Sequence, residues 1–348
     1  MSRSRLYPAL CVLSLIGSAV AEPLPTSAPQ PADNPSTPAK VELGRRLYFD
    51  PRLSADGTVS CNSCHGLDTG GVDGKPVSTG VGGKPGGRNA PTVWNAAFNS
   101  TQFWDGRAAS LEEQAVGPVT NPVEMAMPGG EAVTERLQAI PEYVAAFAAV
   151  FPDDPQPSLA NVGRAIAAFE RTLITPGSAY DRFEQGDRTA LTAQQQRGLA
   201  TFTEVGCVAC HSGPAFNGPQ PSLPTGTGFY QRFPTHTDNP LVTKYALDQD
   251  QGRYEVTHQE ADRHMFKVPT LRNVALTAPY FHNGSVATLP QAVRVMGKVQ
   301  LNRDLTDEQV ADIAVFLDSL SGPFPNIERP PVPPEASLQQ RVPFLAGE

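Results

Sequence analysis

Apolar residues recur at helical spacing in two stretches of the chain, each near the end of one half. The positions are Val162, Ile166, Phe169 and Leu173 in the first half and Val310, Ile313, Ala314, Leu317 and Leu320 in the second. Steps of three and four positions place each set on one face of an α-helix. Both faces are predicted to pack into a core and to carry no chemistry of their own.

A second pair of helices is predicted earlier, one in each half. Residues 43–49 and 197–202 each contain a glycine that is followed by apolar residues three or four positions later. Two of the four predicted helices have the Thr-x-x-Gln pattern of a capping box. These pairs are Thr192 with Gln195 and Thr306 with Gln309. Because the alternating apolar pattern of strands is scarce, the fold is predicted to be mainly α.

Long loops are predicted between these helices. The chain has 35 prolines and 30 glycines, which concentrate in runs such as 80–91 and 213–228. Such runs interrupt helices and strands and are typical of ordered connections. The fold is therefore expected to be loop-rich.

The first 21 residues have the features of an export signal. Arg3 and Arg5 supply positive charge, residues 10–20 are mostly apolar, and residues 19–21 form a small-x-small cleavage site. The apolar run is shorter than the ~20 residues that cross a bilayer. Cleavage after Ala21 and release into the periplasm are predicted. A retained membrane anchor is the alternative.

The charge balance argues against nucleic acid as a partner. The formal charge is −8, and removing Arg3 and Arg5 from the 27 basic residues leaves 25 against 35 acidic ones. A negative protein field repels phosphate backbones and favours a basic docking partner.

Four of the five cysteines form two copies of one motif. The copies are Cys61, Cys64 and His65, and Cys207, Cys210 and His211. The C-x-x-C-H spacing suits two thioether bonds to a porphyrin, with the histidine as axial iron ligand. Zinc binding or thiol exchange is the alternative for a C-x-x-C pair, but here a histidine follows each pair directly. Two covalently bound c-type haems are therefore predicted.

With one haem in each half, the repeated plan is that of two cytochrome c-like domains in tandem. Each has a helix, a haem-binding loop, a long loop and a closing helix. The predicted bounds are a signal peptide at 1–21, a flexible leader at 22–37, an N-terminal domain at 38–189, a C-terminal domain at 190–325 and an extended, surface-packed tail at 326–348.

Long motifs around both haem sites resemble those of the bacterial dihaem cytochrome c peroxidases. They lie at 43–54, 87–92, 102–107, 121–125, 268–273 and 276–282. The resemblance covers nearly the whole mature chain. It implies an enzyme that reduces hydrogen peroxide to water. Electrons from a small cytochrome c or a copper protein would enter at the second haem and pass to an open first haem. Many members of the family form homodimers.

The resemblance also assigns three catalytic residues. Peroxide reduction needs a group that moves a proton from one oxygen to the other, and a carboxylate beside the haem can do this. Glu124 matches the family's position for that role, and Gln114 matches its hydrogen-bonding neighbour. Trp104 matches the tryptophan that lies between the two haems. A buried core aromatic is the plain alternative for Trp104.

For the second haem, the resemblance implies a methionine as distal ligand opposite His211. Met296 is at the matching position, and Met265 is its rival. A His/Met pair raises the potential of a haem relative to two histidines, which suits an electron store.

A calcium ion between the domains is a further implication of the resemblance. Its matching positions are the side chain of Asn89 and the backbone carbonyls of Thr277 and Pro279. Oxygen atoms are the ligands that calcium prefers.

One position departs from the family pattern. Most members carry a distal histidine on the first haem, sixteen residues after the proximal one, and an electron on the second haem triggers its release. That position is Val81, and no histidine occurs between His65 and His211. Valine cannot bind iron, so the first haem is expected to be open in the fully oxidised protein.

Two other functions fit the same haem motifs. A related dihaem enzyme oxidises a protein side chain during the maturation of methylamine dehydrogenase, but it typically uses tyrosine as the second haem's distal ligand. Met296 argues against that reading, whereas the open first haem favours it. A plain electron carrier is the third reading, and the pairing of Glu124 with Gln114 argues against it.

Overall fold

The structure, a computed structural model, describes residues 22–219 and 224–331. It consists mostly of helices joined by long loops. Over these residues it has twelve α-helices and one two-stranded sheet. The helices are α1 Pro38–Phe49, α2 Cys61–Cys64, α3 Leu111–Thr120, α4 Gly130–Gln138, α5 Pro141–Val150, α6 Leu159–Glu170, α7 Ala179–Glu184, α8 Ala193–Glu204, α9 Pro240–Lys244, α10 Tyr254–Thr257, α11 Leu289–Leu301 and α12 Asp307–Asp318. The predicted mainly α, loop-rich fold is confirmed. The predicted signal at 1–21 lies outside the described residues.

Each half is built around one crossing of two helices. In the first half α1 crosses α6, and in the second α8 crosses α12. A methyl group added to Gly44 would overlap the carbonyl oxygen of Ala165, and one added to Gly198 would overlap that of Asp312. The glycine noted in each early helix therefore lets two backbones touch at the crossing.

The predicted caps and apolar faces are present. Thr192 with Gln195 and Thr306 with Gln309 form complete capping boxes at the starts of α8 and α12. The predicted core positions are buried except Ala314, which is half-buried. Leu173 and Leu320 lie beyond the ends of their helices but are still fully buried.

A short antiparallel sheet joins two loops of the second half. Its strands are β1 Tyr230–Arg232 and β2 Met265–Lys267, and Tyr230 lies opposite Lys267. This small sheet agrees with the scarcity of strand patterns in the sequence.

The segment at 22–37 is packed against the body, although a flexible leader was expected there. Leu24 is buried, and its amide donates to Asp181 Oδ1 at 2.9 Å. The Asn34 side chain donates to Glu112 Oε1 at 2.7 Å. Buried hydrogen bonds of this kind fix a segment that has no regular secondary structure.

The described part of the tail also packs on the surface. Ile327 packs against the core of the first half, and Arg329 pairs with Asp68. The rest of the predicted tail, 332–348, lies outside the described residues.

The predicted domain boundary at 189/190 follows α7. Tyr180 of α7 packs edge-on against Phe216 and Phe316 in the core of the second half. α7 thus shares its core with α8 and α12, and the boundary itself stays a prediction. Within 22–219 and 224–331, the helices are all too short or too polar to span a membrane.

Candidate active site

The first C-x-x-C-H motif borders a cavity of about 1020 Å³. Cys61 and Cys64 begin and end the short helix α2, and His65 caps it. The Nδ1 atom of His65 lies 3.0 Å from the carbonyl oxygen of Pro91. Because a carbonyl only accepts, Nδ1 carries the proton and Nε2 remains free to bind a metal.

The second motif borders a smaller cavity of about 230 Å³. Its wall includes Cys207, Cys210, His211 and Met296. His211 Nδ1 lies 3.0 Å from the carbonyl oxygen of Phe216, so this histidine also keeps Nε2 free.

The two candidate distal methionines are placed differently. Met296 lies on α11 and borders the second cavity together with His211. Met265 begins β2, where its carbonyl accepts from the amide of Arg253, and it is absent from the described wall of that cavity. The position of Met296 therefore favours it over Met265.

Both cavities suit covalent haem better than zinc. The four cysteines of the described residues are unpaired thiols. Burial raises the pKa of each, that of Cys207 to about 12. Over the described residues, no three His, Cys, Asp or Glu side chains cluster as a metal site would require. Paired thiols beside a histidine with a free Nε2 fit thioether-bound haem.

Glu124 and Gln114 lie on the wall of the first cavity. Gln114 belongs to α3, and Glu124 follows in the turn after that helix. The Glu124 carboxylate accepts from Asn121 Nδ2 at 3.1 Å. Burial raises the pKa of Glu124, while the charge of Arg107 opposes that rise. A carboxyl beside a reacting group can both accept and return a proton.

Arg107 is a site residue that the sequence analysis missed. It borders the first cavity, pairs with Asp105 at 2.9 Å, and places its guanidinium 3.5 Å from the centre of the Phe103 ring. The signal available in the sequence was its place at the end of the 102–107 motif. Its positive charge acts on Glu124, which is 17 positions away in the sequence. The sequence alone does not show that the two side chains are close enough to interact.

The loop that carries Val81 is docked on the turn that carries Glu124. The Val81 amide donates to the Glu124 carbonyl at 2.8 Å, and Lys84 Nζ donates to the Pro122 carbonyl at 3.1 Å. The Val81 side chain packs against the first core. Neither its chemistry nor its direction makes it a ligand for the first cavity.

Trp104 borders both cavities and helps join the two halves. Its indole Nε1 donates to the Asn89 carbonyl at 2.9 Å, and its own carbonyl accepts from the Lys267 amide at 2.8 Å. In return, the Asn89 amide donates to the His282 carbonyl at 2.7 Å. Trp104 is therefore held rigidly between the two cavities.

These cross-bonds reveal an internal repeat that the sequence analysis did not recognise. Residues 89–108 correspond to 267–286, with a constant offset, so that His282 occupies the place of Trp104. Phe103 and Phe281 both have left-handed backbone conformations, with φ of 68° and 71°. The motifs at 87–92 and 102–107 thus belong to one copy of a structural unit, and those at 268–273 and 276–282 belong to the other.

His282 is buried and tightly packed. It stacks on Phe266 at 4.6 Å, and burial lowers its pKa to about 4. Its Nε2 has no hydrogen-bond partner among the described residues.

The three residues matched to the calcium site all border the second cavity. They are Asn89, Thr277 and Pro279. Asn89 Nδ2 donates to the Lys75 carbonyl at 2.8 Å, which leaves its amide oxygen as the atom available to a cation.

Comparison with known proteins gives consistent matches. A family model described as di-haem cytochrome c peroxidase matches residues 38–189. A cytochrome c551 peroxidase of Pseudomonas aeruginosa is 44% identical over 329 residues, which cover 93% of this chain and 90% of that protein. The cytochrome c551 peroxidase of Nitrosomonas europaea is 44% identical over 314 residues, covering 90% and 87%.

A solved structure of a MauG-like protein associated with microbial copper homeostasis superposes with a TM-score of 0.74 at 30% identity. The superposition covers 86% of this chain and 95% of that one. The matches to both relatives and to this structure span both cavities.

Proposed function

This chain belongs to the di-haem cytochrome c peroxidase family, and on that premise we propose that it reduces hydrogen peroxide to water in the periplasm. The reaction consumes one peroxide, two electrons and two protons and yields two waters. The observation that carries the proposal is the half-buried Glu124 carboxyl, with its raised pKa, on the wall of the first haem cavity.

Family membership implies two haems, and we propose how this chain holds them. Cys61 and Cys64 form the thioethers of the first haem, with His65 as proximal ligand. The second is held in the same way, by Cys207, Cys210, His211 and Met296. When bound, the haems supply an iron that binds peroxide and a store for the second electron.

Glu124 is the proposed proton carrier. It would take a proton from one peroxide oxygen and return it to the other, so that water leaves rather than hydroxide. Asn121 orients the carboxylate through their 3.1 Å hydrogen bond, and Gln114 binds the peroxide from the same wall. The charge of Arg107 opposes the effect of burial on the pKa of Glu124 and so favours the ionised carboxylate that accepts the proton.

Electron supply is proposed to come from a small cytochrome c or a copper protein that docks near the second cavity. Trp104 couples the two sites, since its ring borders both cavities. The acidic balance of the chain suits a basic donor. A calcium ion bound by Asn89, Thr277 and Pro279 would stabilise the same wall, and a homodimer is the assembly that the family suggests.

Oxidation of a protein side chain is the second candidate function. Val81 favours it, since the first site has no histidine to close it, and one structural neighbour is named MauG-like. Met296 opposes it, because that chemistry typically accompanies a tyrosine at the second haem.

A donor-coupled assay tests the proposal. The haem-loaded protein is mixed with a reduced small cytochrome c and limiting peroxide, and donor oxidation is followed optically. We expect two donor equivalents oxidised per peroxide. Peroxide consumed without donor oxidation would favour the protein-oxidising alternative, and no reaction with peroxide would favour a plain electron carrier.

Met296 as distal ligand gives a separate spectroscopic prediction. The oxidised protein should show the weak long-wavelength sulfur-to-iron band of a His/Met haem, and its second haem should have the higher potential. Met296→Leu should abolish the band, and Met296→His should lower the potential. Met265→Leu is the matched control and should leave both unchanged. A band that survives in Met296→Leu and disappears in Met265→Leu would reverse the assignment.

A further inference from the structure

Glu170 is a buried carboxyl on the wall of the first cavity to which the proposed mechanism gives no role. It is the last residue of α6 and is only 4% exposed. Its Oε2 atom has no hydrogen-bond partner among the described residues. Burying a carboxyl without a partner is unfavourable, so its presence here calls for a reason other than stability.

The matching helix crossings of the two halves show that this carboxyl is specific to the first haem site. Phe169 of α6 and Phe316 of α12 each lie beside the glycine of the crossing helix, which places Leu317 where the first half has Glu170. Leu317 borders the second cavity as Glu170 borders the first. The same place in the fold therefore carries an acid at one haem and a hydrocarbon at the other.

The positive charge that acts on Glu170 is shared with a second carboxylate. The neighbouring Arg171 forms an ion pair with Glu112 of α3 at 2.7 Å. Burial raises the pKa of Glu170 to about 8, with Arg171 opposing and Glu112 reinforcing the rise. The other titratable groups that interact with it are Tyr48 of α1 and Cys61 of α2.

Glu170 is also separate from the proposed proton carrier. The charge of Glu170 acts on Cys61, at the start of the haem motif, whereas that of Glu124 acts on Cys64, at its end. Glu170 and Glu124 therefore lie at different places along the wall of the cavity.

We propose that Glu170 is a redox-linked proton site of the first haem: its carboxylate takes up one proton when that haem gains an electron and releases it when the electron leaves. Each electron adds one negative charge to the iron centre, which stabilises the protonated carboxyl nearby. One electron and one proton enter together, so the net charge of the buried site does not change. The proposal rests on the proposed function only in that a haem occupies the first cavity.

Redox titration of the haem-loaded protein across a pH series tests this proposal. In the wild type, the midpoint potential of the first haem should fall as pH rises, because the ionised carboxylate favours the oxidised iron. Glu170→Gln should remove most of this fall. Glu124→Gln is the matched control and should keep it while losing peroxide turnover, so the two proposals fail separately. Equal pH dependence in the wild type and Glu170→Gln, or none in the wild type, would overturn the proposal.

Two further measurements protect the test against a variant that does not fold. Glu170→Leu copies the second half of the chain and should show the same loss of pH dependence. In the wild type, the reduced-minus-oxidised infrared spectrum should show a protonated carboxyl band that appears when the first haem is reduced and disappears in either Glu170 variant. The lack of such a band in the wild type would also exclude Glu170 as the proton site.

Discussion

Glu124→Gln should lower peroxide turnover by at least about 100-fold while haem content stays normal, since general acid-base assistance contributes roughly 10²–10⁴-fold. Glutamine keeps the shape of the side chain, and its amide oxygen can still accept the hydrogen bond from Asn121. The amide group, however, cannot accept a proton and return it. The measurement is steady-state oxidation of a reduced donor by peroxide, with haem quantified on the same sample.

The pH profile gives this prediction a second readout. Burial raises the pKa of Glu124, so the carboxylate needed to accept a proton should be lost as pH falls through that raised value. Turnover of the wild type should therefore fall on the acidic side, and Glu124→Gln should lack this limb. Glu131→Gln removes an exposed carboxyl of α4 and should behave like the wild type. Near-normal turnover in Glu124→Gln would remove this residue from the mechanism.

The fully oxidised protein should react with peroxide without prior reduction. Val81 stands where most family members have the histidine that closes the first haem, and its loop is docked on the Glu124 backbone through a 2.8 Å hydrogen bond. Nothing has to be expelled, so the first haem should be high-spin in the oxidised state. Stopped-flow mixing with peroxide under donor-free conditions should give an immediate spectral change, and electron paramagnetic resonance should detect one high-spin and one low-spin haem.

The contrary outcome is equally specific. If the spectrum does not change until one electron is added, another side chain closes the first site. Met125 is the sulfur ligand available, because it is buried and borders the first cavity. Met125→Leu would then make the oxidised protein reactive. Val81→Ala changes the same loop without adding or removing a ligand and should leave the oxidised-state reaction as it is in the wild type.

Local spacing was sufficient to predict much of this protein. The two C-x-x-C-H motifs, the capping boxes at Thr192 and Thr306, and the apolar faces of α6 and α12 each depend on residues a few positions apart. Such features depend on the spacing of residues along the chain and on the period of the helix. They can therefore be predicted without knowledge of the tertiary structure. The helix glycines were visible too, but only the crossings of α1 with α6 and α8 with α12 explain them.

Several features could not be read from local spacing. The helix α11, on which Met296 lies, was not among the helices predicted from the sequence. The segment 22–37 is packed against the body, although a flexible leader was expected there. The correspondence of 89–108 with 267–286 was hidden because Trp104 aligns with His282 and Asn89 with Lys267. Shared backbone geometry preserves such a repeat after side-chain identity has changed.

The sequence by itself determined the two haem-binding motifs, the mainly α plan and, through long motifs, the family. Only the tertiary structure brought Glu124, Gln114, Arg107 and Glu170 to one cavity and set Trp104 between two. The physical reason is that the residues of a haem-binding motif are neighbours in the sequence. The burial of a carboxyl and the charges around it depend instead on groups that are distant in the sequence and meet only in the fold. Glu170 looks like any helix-terminal acid in the sequence, and it became a candidate proton site only when its surroundings were known.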